Sequence, residues 1–288
     1  MAPDAATKAI LYAALLPTVG ASAAFFFVSA PTFARDNEAR ASAGKRPHDQ
    51  LESSIRLVGL IAALCVIVAL ALRAWAQADA AFGLASSFSP ESLHTVLVSR
   101  WGLRWHWQVL AAAACAIAYA CAGGGRRVAW VAAAAASVAL CVSLTLTGHA
   151  AGDPARMVVH AAHLVGGGLW LGTLATLVAV SPSIDAKTRA ALFHAFTPLA
   201  LAGASLAAAA GVTAAFMYLG AIDQLWQTPY GRALAIKVIL AGCVAACGLA
   251  NWRRADAGAG QGRVVTVELL FAAAVIVVTA VLTELEHP

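Results

Sequence analysis

An all-α bundle of about eight membrane-spanning helices is the fold the sequence predicts, on three observations. The chain is 61% apolar and 11% charged, where a soluble domain carries about a quarter charged residues. Its mean hydropathy is +0.78, and its polar stretches are mostly short connectors. The apolar runs between them number eight, each near the ~20 residues a helix needs to cross about 30 Å of hydrocarbon. This composition excludes a soluble enzyme, and residues 1–288 read as a single transmembrane domain.

The spans fall near residues 10–30, 55–75, 106–122, 128–148, 156–180, 198–218, 232–250 and 264–284. The first contains Ala21-Ser22-Ala23, which resembles a signal-cleavage site. Its apolar stretch continues through Phe25-Phe26-Phe27, however, with only Lys8 as a basic flank, so a retained helix is expected. A hydrophilic connector, Ala34 to Ser54, leads to the second span. The third is short, Val109 to Ala122, and crosses only if Trp105 and His106 begin it at the interface. The fourth ends at His149. Asp153 as N-cap and Pro154 as first helical residue start the fifth, which carries Gly168-x-x-x-Gly172, a spacing that admits a close helix neighbour around Trp170.

Ser99-Arg100-Trp101-Gly102, followed by Gln108-Val109, recurs before the seventh span as Thr228-Pro229-Tyr230-Gly231, followed by Lys237-Val238, at identical spacing. The recurrence suggests a four-plus-four parallel duplication, although each copy also fits a plain interfacial anchor. Twelve basic residues, from Arg35 to Arg263, flank one side of the bundle, and seven flank the other: Lys8, Arg73, Arg100, Arg104, Arg156, Arg232 and Lys237. The bias of Lys and Arg toward cytoplasmic loops then puts both termini outside, in the periplasm of a bacterium. The net charge of +5 reflects this loop bias and does not indicate nucleic acid. All six cysteines lie in or at the ends of spans, so no disulfide framework is expected.

Histidines gather on the outer side: His94, His106, His149, His160, His163 and His287, against His48 and His194 inside. The densest group is His149, Met157, His160 and His163. The last three recur every third residue along one helix face, and the short connector makes His149's span an antiparallel neighbour. Imidazole with thioether suits copper, Cu(I) above all, better than the oxygen-seeking Mg²⁺ or Ca²⁺; zinc could use the imidazoles alone. Singly, each His also fits an interfacial residue. Together they make a candidate metal site, with His94, His106 and Met217 as further candidates. Cys243 and Cys247, four apart on the seventh span, offer a second soft-metal station or simple packing.

At these residues the chain resembles the CopD/PcoD copper-resistance family of bacterial inner-membrane proteins. The matching pieces are Thr147-Gly148-His149-Ala150, His163 through Trp170-Leu171-Gly172, and Thr228-Pro229-Tyr230-Gly231-Arg232 leading through Lys237 to Asn251. Trp252 departs from the family pattern, standing between Asn251 and Arg253. The resemblance implies copper binding and transport across the inner membrane, with a separate periplasmic copper-binding protein of the CopC type as partner. The rival reading is a b-type cytochrome, which needs two haem-ligating histidines on facing helices, such as His106 with His163.

Overall fold

The computed structural model describes residues 3–32, 46–124, 126–148, 150–256 and 262–286, and every regular element among them is helical. In chain order these are α1 (Pro3–Ala23), α2 (Arg46–Phe82), α3 (Pro90–Val98), α4 (Arg100–Cys121), α5 (Arg127–Leu144), α6 (Pro154–Gly167), α7 (Thr173–Val180), α8 (Ala186–Tyr218), α9 (Gln224–Gln227), α10 (Pro229–Asp256) and α11 (Gly262–Leu282). Wider π-helical turns extend α1 through Ala24–Ser29 and join α6 to α7 through Gly168–Gly172.

Among the described residues, seven stretches are long and apolar enough to cross a bilayer: Asp4–Thr32, Asp49–Phe82, Arg127–Leu144, Pro154–Ser183, Ala186–Tyr218, Pro229–Arg253 and Val264–Leu282. The third expected span lies in α4, whose 22 residues rise about 33 Å. Arg100, Arg104, His106 and Gln108 in its first half leave it short of that apolarity. Geometry nevertheless requires it to cross. Arg73 near the end of α2 and Leu144 at the end of α5 line one cavity, so the chain leaves that end of the bundle and returns to it between them. Eight crossings follow, with Lys8 and Glu284 paired at the shared end of both termini.

The first span is central. In its most apolar window 56% is buried, against 11% for Pro229–Arg253 at the periphery, and α1 packs on α2, α5, the Gly168–Gly172 turn and α11. At Gly20 a Cβ would stand 2.0 Å from the Gly172 carbonyl carbon, and at Gly172 one would stand 2.0 Å from Leu16 O. Only two glycines let these backbones meet, and a Cβ on Gly168 would likewise strike Val19. The close neighbour expected at Gly168-x-x-x-Gly172 is therefore α1.

Several polar groups inside the first half find partners across helices, which burial in hydrocarbon favours. Trp130, fully buried, donates its Nε1–H to Glu52 Oε1 at 3.1 Å and stacks on Phe25 at 4.1 Å. The Tyr119 hydroxyl donates to the Thr18 carbonyl, which also accepts from Ser137 Oγ at 3.2 Å.

The recurring motif has one shape in both places. Ser99 Oγ accepts from Gly102 N at 3.2 Å and Thr228 Oγ1 from Gly231 N at 2.9 Å, each capping a long helix just after a short one. A Cβ on Gly102 would collide with Leu97 O and one on Gly231 with Gln224 O, so glycine is what lets the helix start fold against its predecessor. The long helices then form matching hairpins, α4 with α5 and α10 with α11. The halves differ elsewhere: α2 and α4 pack closely, whereas α8 and α10 barely touch.

Candidate functional site

Where α8 and α10 separate, two cavities open along one helix interface. One, of about 160 Å³, lies at the end carrying the termini; the other, of about 300 Å³, lies toward the opposite end. On α8 the larger reaches Ala204 and the smaller begins at Gly211, a separation of roughly 10 Å of helix rise. Between them α6 and α8 touch backbone to backbone, since a Cβ on Gly166 would stand 2.6 Å from Ala207 N and one on Gly203 2.8 Å from Trp170 N.

The smaller cavity holds two of the expected histidines. Asp153 caps α6 as expected, its Oδ1 accepting from Ala155 N at 2.9 Å and Arg156 N at 3.2 Å, with Pro154 following. His160 and His163, almost one turn apart, both line the cavity. Nδ1 of His163 lies 2.8 Å from the Ala207 carbonyl, which can only accept. That bond fixes the proton on Nδ1 and leaves Nε2 as the lone-pair nitrogen, the arrangement in which a metal-binding imidazole is held by a backbone partner behind it. His160 Nε2 and the Tyr218 hydroxyl are hydrogen-bonded at 3.0 Å, and the Arg156 guanidinium lies 4.9 Å from the Tyr218 ring centroid.

Composition alone did not single out the rest of this cavity. Lys8, Tyr12, Arg73, Tyr218, Tyr230 and Lys237 join the histidines, drawn from four further helices. Lys8 pairs with Glu284 and, at 3.3 Å, with Asp4, which also stands 3.9 Å from Arg73. Lys237 has no hydrogen bond or ion pair among the described residues.

The other expected ligands are scattered. Met157, half-buried one turn before His160, is absent from the cavity lining. Met217 packs with Tyr218, Tyr230 and Leu282. His94 is exposed on α3, and His106 is exposed on α4 with Nδ1–H donating to Gly102 O at 2.6 Å. His106, named with His163 for haem, does not line the cavity that holds His163. Cys243 and Cys247 line neither cavity. His149 lies outside the described residues, between the cavity-lining Gly148 and Ala150. No group of three or more His, Cys, Asp or Glu suited to a metal occurs among the described residues.

The larger cavity is lined by Trp170, His194, Asn251, Trp252 and Glu268 among apolar side chains. His163 and Trp170, seven apart, thus face different cavities.

Long apolar helices with cavities toward both ends define a polytopic membrane helix bundle. Residues 3–157 match the family model described as copper resistance protein D-like, N-terminal domain, and residues 190–282 match copper resistance protein D. The chain belongs to the copper resistance protein D family, a membrane family that handles copper. The matches hold Lys8, Arg73, Tyr218, Lys237, Asn251 and Glu268 and leave out His160 and His163. Neither a curated protein nor a solved structure matches the chain.

Proposed function

We propose that the chain carries copper across the bacterial inner membrane, taking the ion into the cavity at the end of the termini, which faces the periplasm. The observation that carries this reading is the His163 imidazole. Its Nδ1 proton is tied to Ala207 and its second nitrogen is left as a donor atom in a cavity shared with His160. Family membership supplies the metal, and imidazole nitrogen suits copper. His149, flanked by Gly148 and Ala150, is the third ligand, and Met157 stands at the approach one turn above His160. A separate CopC-like periplasmic protein delivers the ion to this face. Lys8 and Arg73 keep their charges occupied with Asp4 and Glu284, so Lys237 is the cation that opposes tight retention. A passing site, unlike a store, needs such opposition.

Metal analysis of protein purified under reducing conditions tests the site. The wild type should hold copper, and His149→Ala with His163→Ala should lose it at unchanged monodispersity and helix content, because packing and lipid hold the helices. Unchanged stoichiometry in the folded double variant would remove both residues from the site.

A further inference from the structure

The larger cavity contains a group that the copper site does not use. Glu268 is 3% exposed, in the second turn of α11 and inside a membrane-crossing stretch. Its Oε2 accepts from Asn251 Nδ2 at 2.7 Å, and no Lys or Arg pairs with it among the described residues. Asn251 is 8% exposed, and its Oδ1 has no hydrogen-bond partner among the described residues. Both side chains line the cavity. Gly248 keeps space beside the carboxyl, since a Cβ there would stand 3.2 Å from Oε1.

An ionised carboxylate at this depth with one amide donor and no countercharge among the described residues is costly. The group avoids the cost by keeping its proton until a cation or water enters. The groups facing Glu268 do not remove the cost: Cys247 comes from α10 and His194, exposed at the rim, from α8. Trp170 and Leu174 bring no charge, and Arg253 is exposed beyond Asn251. Of the ionisable residues of α1, Asp4 and Lys8 lie at the other end beside Glu284, and Tyr12 lines the smaller cavity.

We propose that the Glu268–Asn251 pair is a proton-binding station, and that copper passing between the two cavities is exchanged against the proton held there. The inference rests on the transport reading above and adds its coupling. As a copper ion enters the larger cavity, the carboxyl O–H bond breaks and the proton leaves through the smaller cavity to water on the side the ion came from. The carboxylate left behind balances one positive charge. When the ion departs to the far side, a proton from water on that side restores the acid, so one Cu(I) moves against one proton with no redox step.

Proteoliposomes of the full chain, loaded with a pH-sensitive dye and given copper with ascorbate, test this. Copper entry in the wild type should alkalinise the lumen by about one proton per ion, and an acid lumen should speed entry several-fold. Glu268→Gln should keep copper bound in detergent but lose both the proton signal and the response to the gradient. Copper entry without proton movement in the wild type, or a wild-type ratio in Glu268→Gln, overturns the coupling alone. A wild type that moves no copper overturns the transport reading and this one with it. Should Glu268→Gln fail to fold, a hydrophobic carbodiimide, which modifies protonated carboxyls, gives the answer on the wild type. Glu268 should be labelled, and alkaline pH should protect it; no labelling at any pH overturns the proposal.

Discussion

Lys237 shows how one side chain sets the character of a site. Its amine shares the smaller cavity with His163 and has no carboxylate partner among the described residues, unlike Lys8. At an effective dielectric of about 20, a unit charge roughly 8 Å from a bound cation raises its energy by about 2 kcal/mol. Lys237→Met should therefore tighten copper binding by roughly thirtyfold, read by competition against a Cu(I) chelator; equal or weaker binding would show that this charge does not reach the ion. Asp185 makes a second prediction at this scale. Hydrogen bonds from the Thr188 hydroxyl, then from the backbone N–H groups of Thr188 and Lys187, hold its carboxyl below the usual carboxylate range. A lowered folded pKa means the cap's contribution is complete above the unfolded value, near 3.9, and is lost as pH falls through the folded one. Hydrogen exchange in the first turn of α8 should accelerate below about pH 4. In Asp185→Asn, which still caps but cannot titrate, that acceleration should be absent.

Elements show what spacing can and cannot reveal. Gly168-x-x-x-Gly172 announces a close helix contact, because nothing but glycine lets two backbones meet, and Asp153-Pro154 announces a helix start. The π turns at Ala24–Ser29 and Gly168–Gly172 have no such signature. The second of them begins between His163 and Trp170, which a straight helix would align on nearly the same face. Gly172→Val should cost at least about 2–3 kcal/mol, seen as a lower melting temperature in detergent, because the rigid Leu16 backbone must move. On α10, a Cβ added to Gly242 would meet nothing within 4 Å. Gly242→Ala should thus be neutral or stabilising by up to ~1 kcal/mol, and equal losses in the two variants would show that the α1 crossing is not a tight contact.

For the whole molecule, hydrocarbon thickness imposes run length, so the crossings are legible in the sequence, while the walls of the cavities come together only through tertiary packing. Lys8, Arg73, His163, Tyr218 and Lys237 belong to five helices distant in sequence. One signal for them exists in the chain: Lys237 and Glu268 are ionisable residues inside apolar runs, where charge is expensive and so retained for a purpose. Soft-ligand chemistry points instead to Cys243 and Cys247, which line neither cavity. Three crossings, α8, α10 and α11, put Thr283 and His194, one from each cavity lining, at opposite ends, and in the proposed orientation Thr283 faces the periplasm. Cys115 and Cys141 are fully buried and can stay, while Cys65, Cys121, Cys243 and Cys247 are replaced by Ala. In that background an impermeant maleimide should modify Thr283→Cys in intact cells, and His194→Cys only after the cells are opened. Reversed labelling would invert the orientation and turn the histidine cavity toward the cytoplasm. Labelling of both positions from one side would contradict the crossings of α8, α10 and α11, which alone separate His194 from Thr283 along the chain.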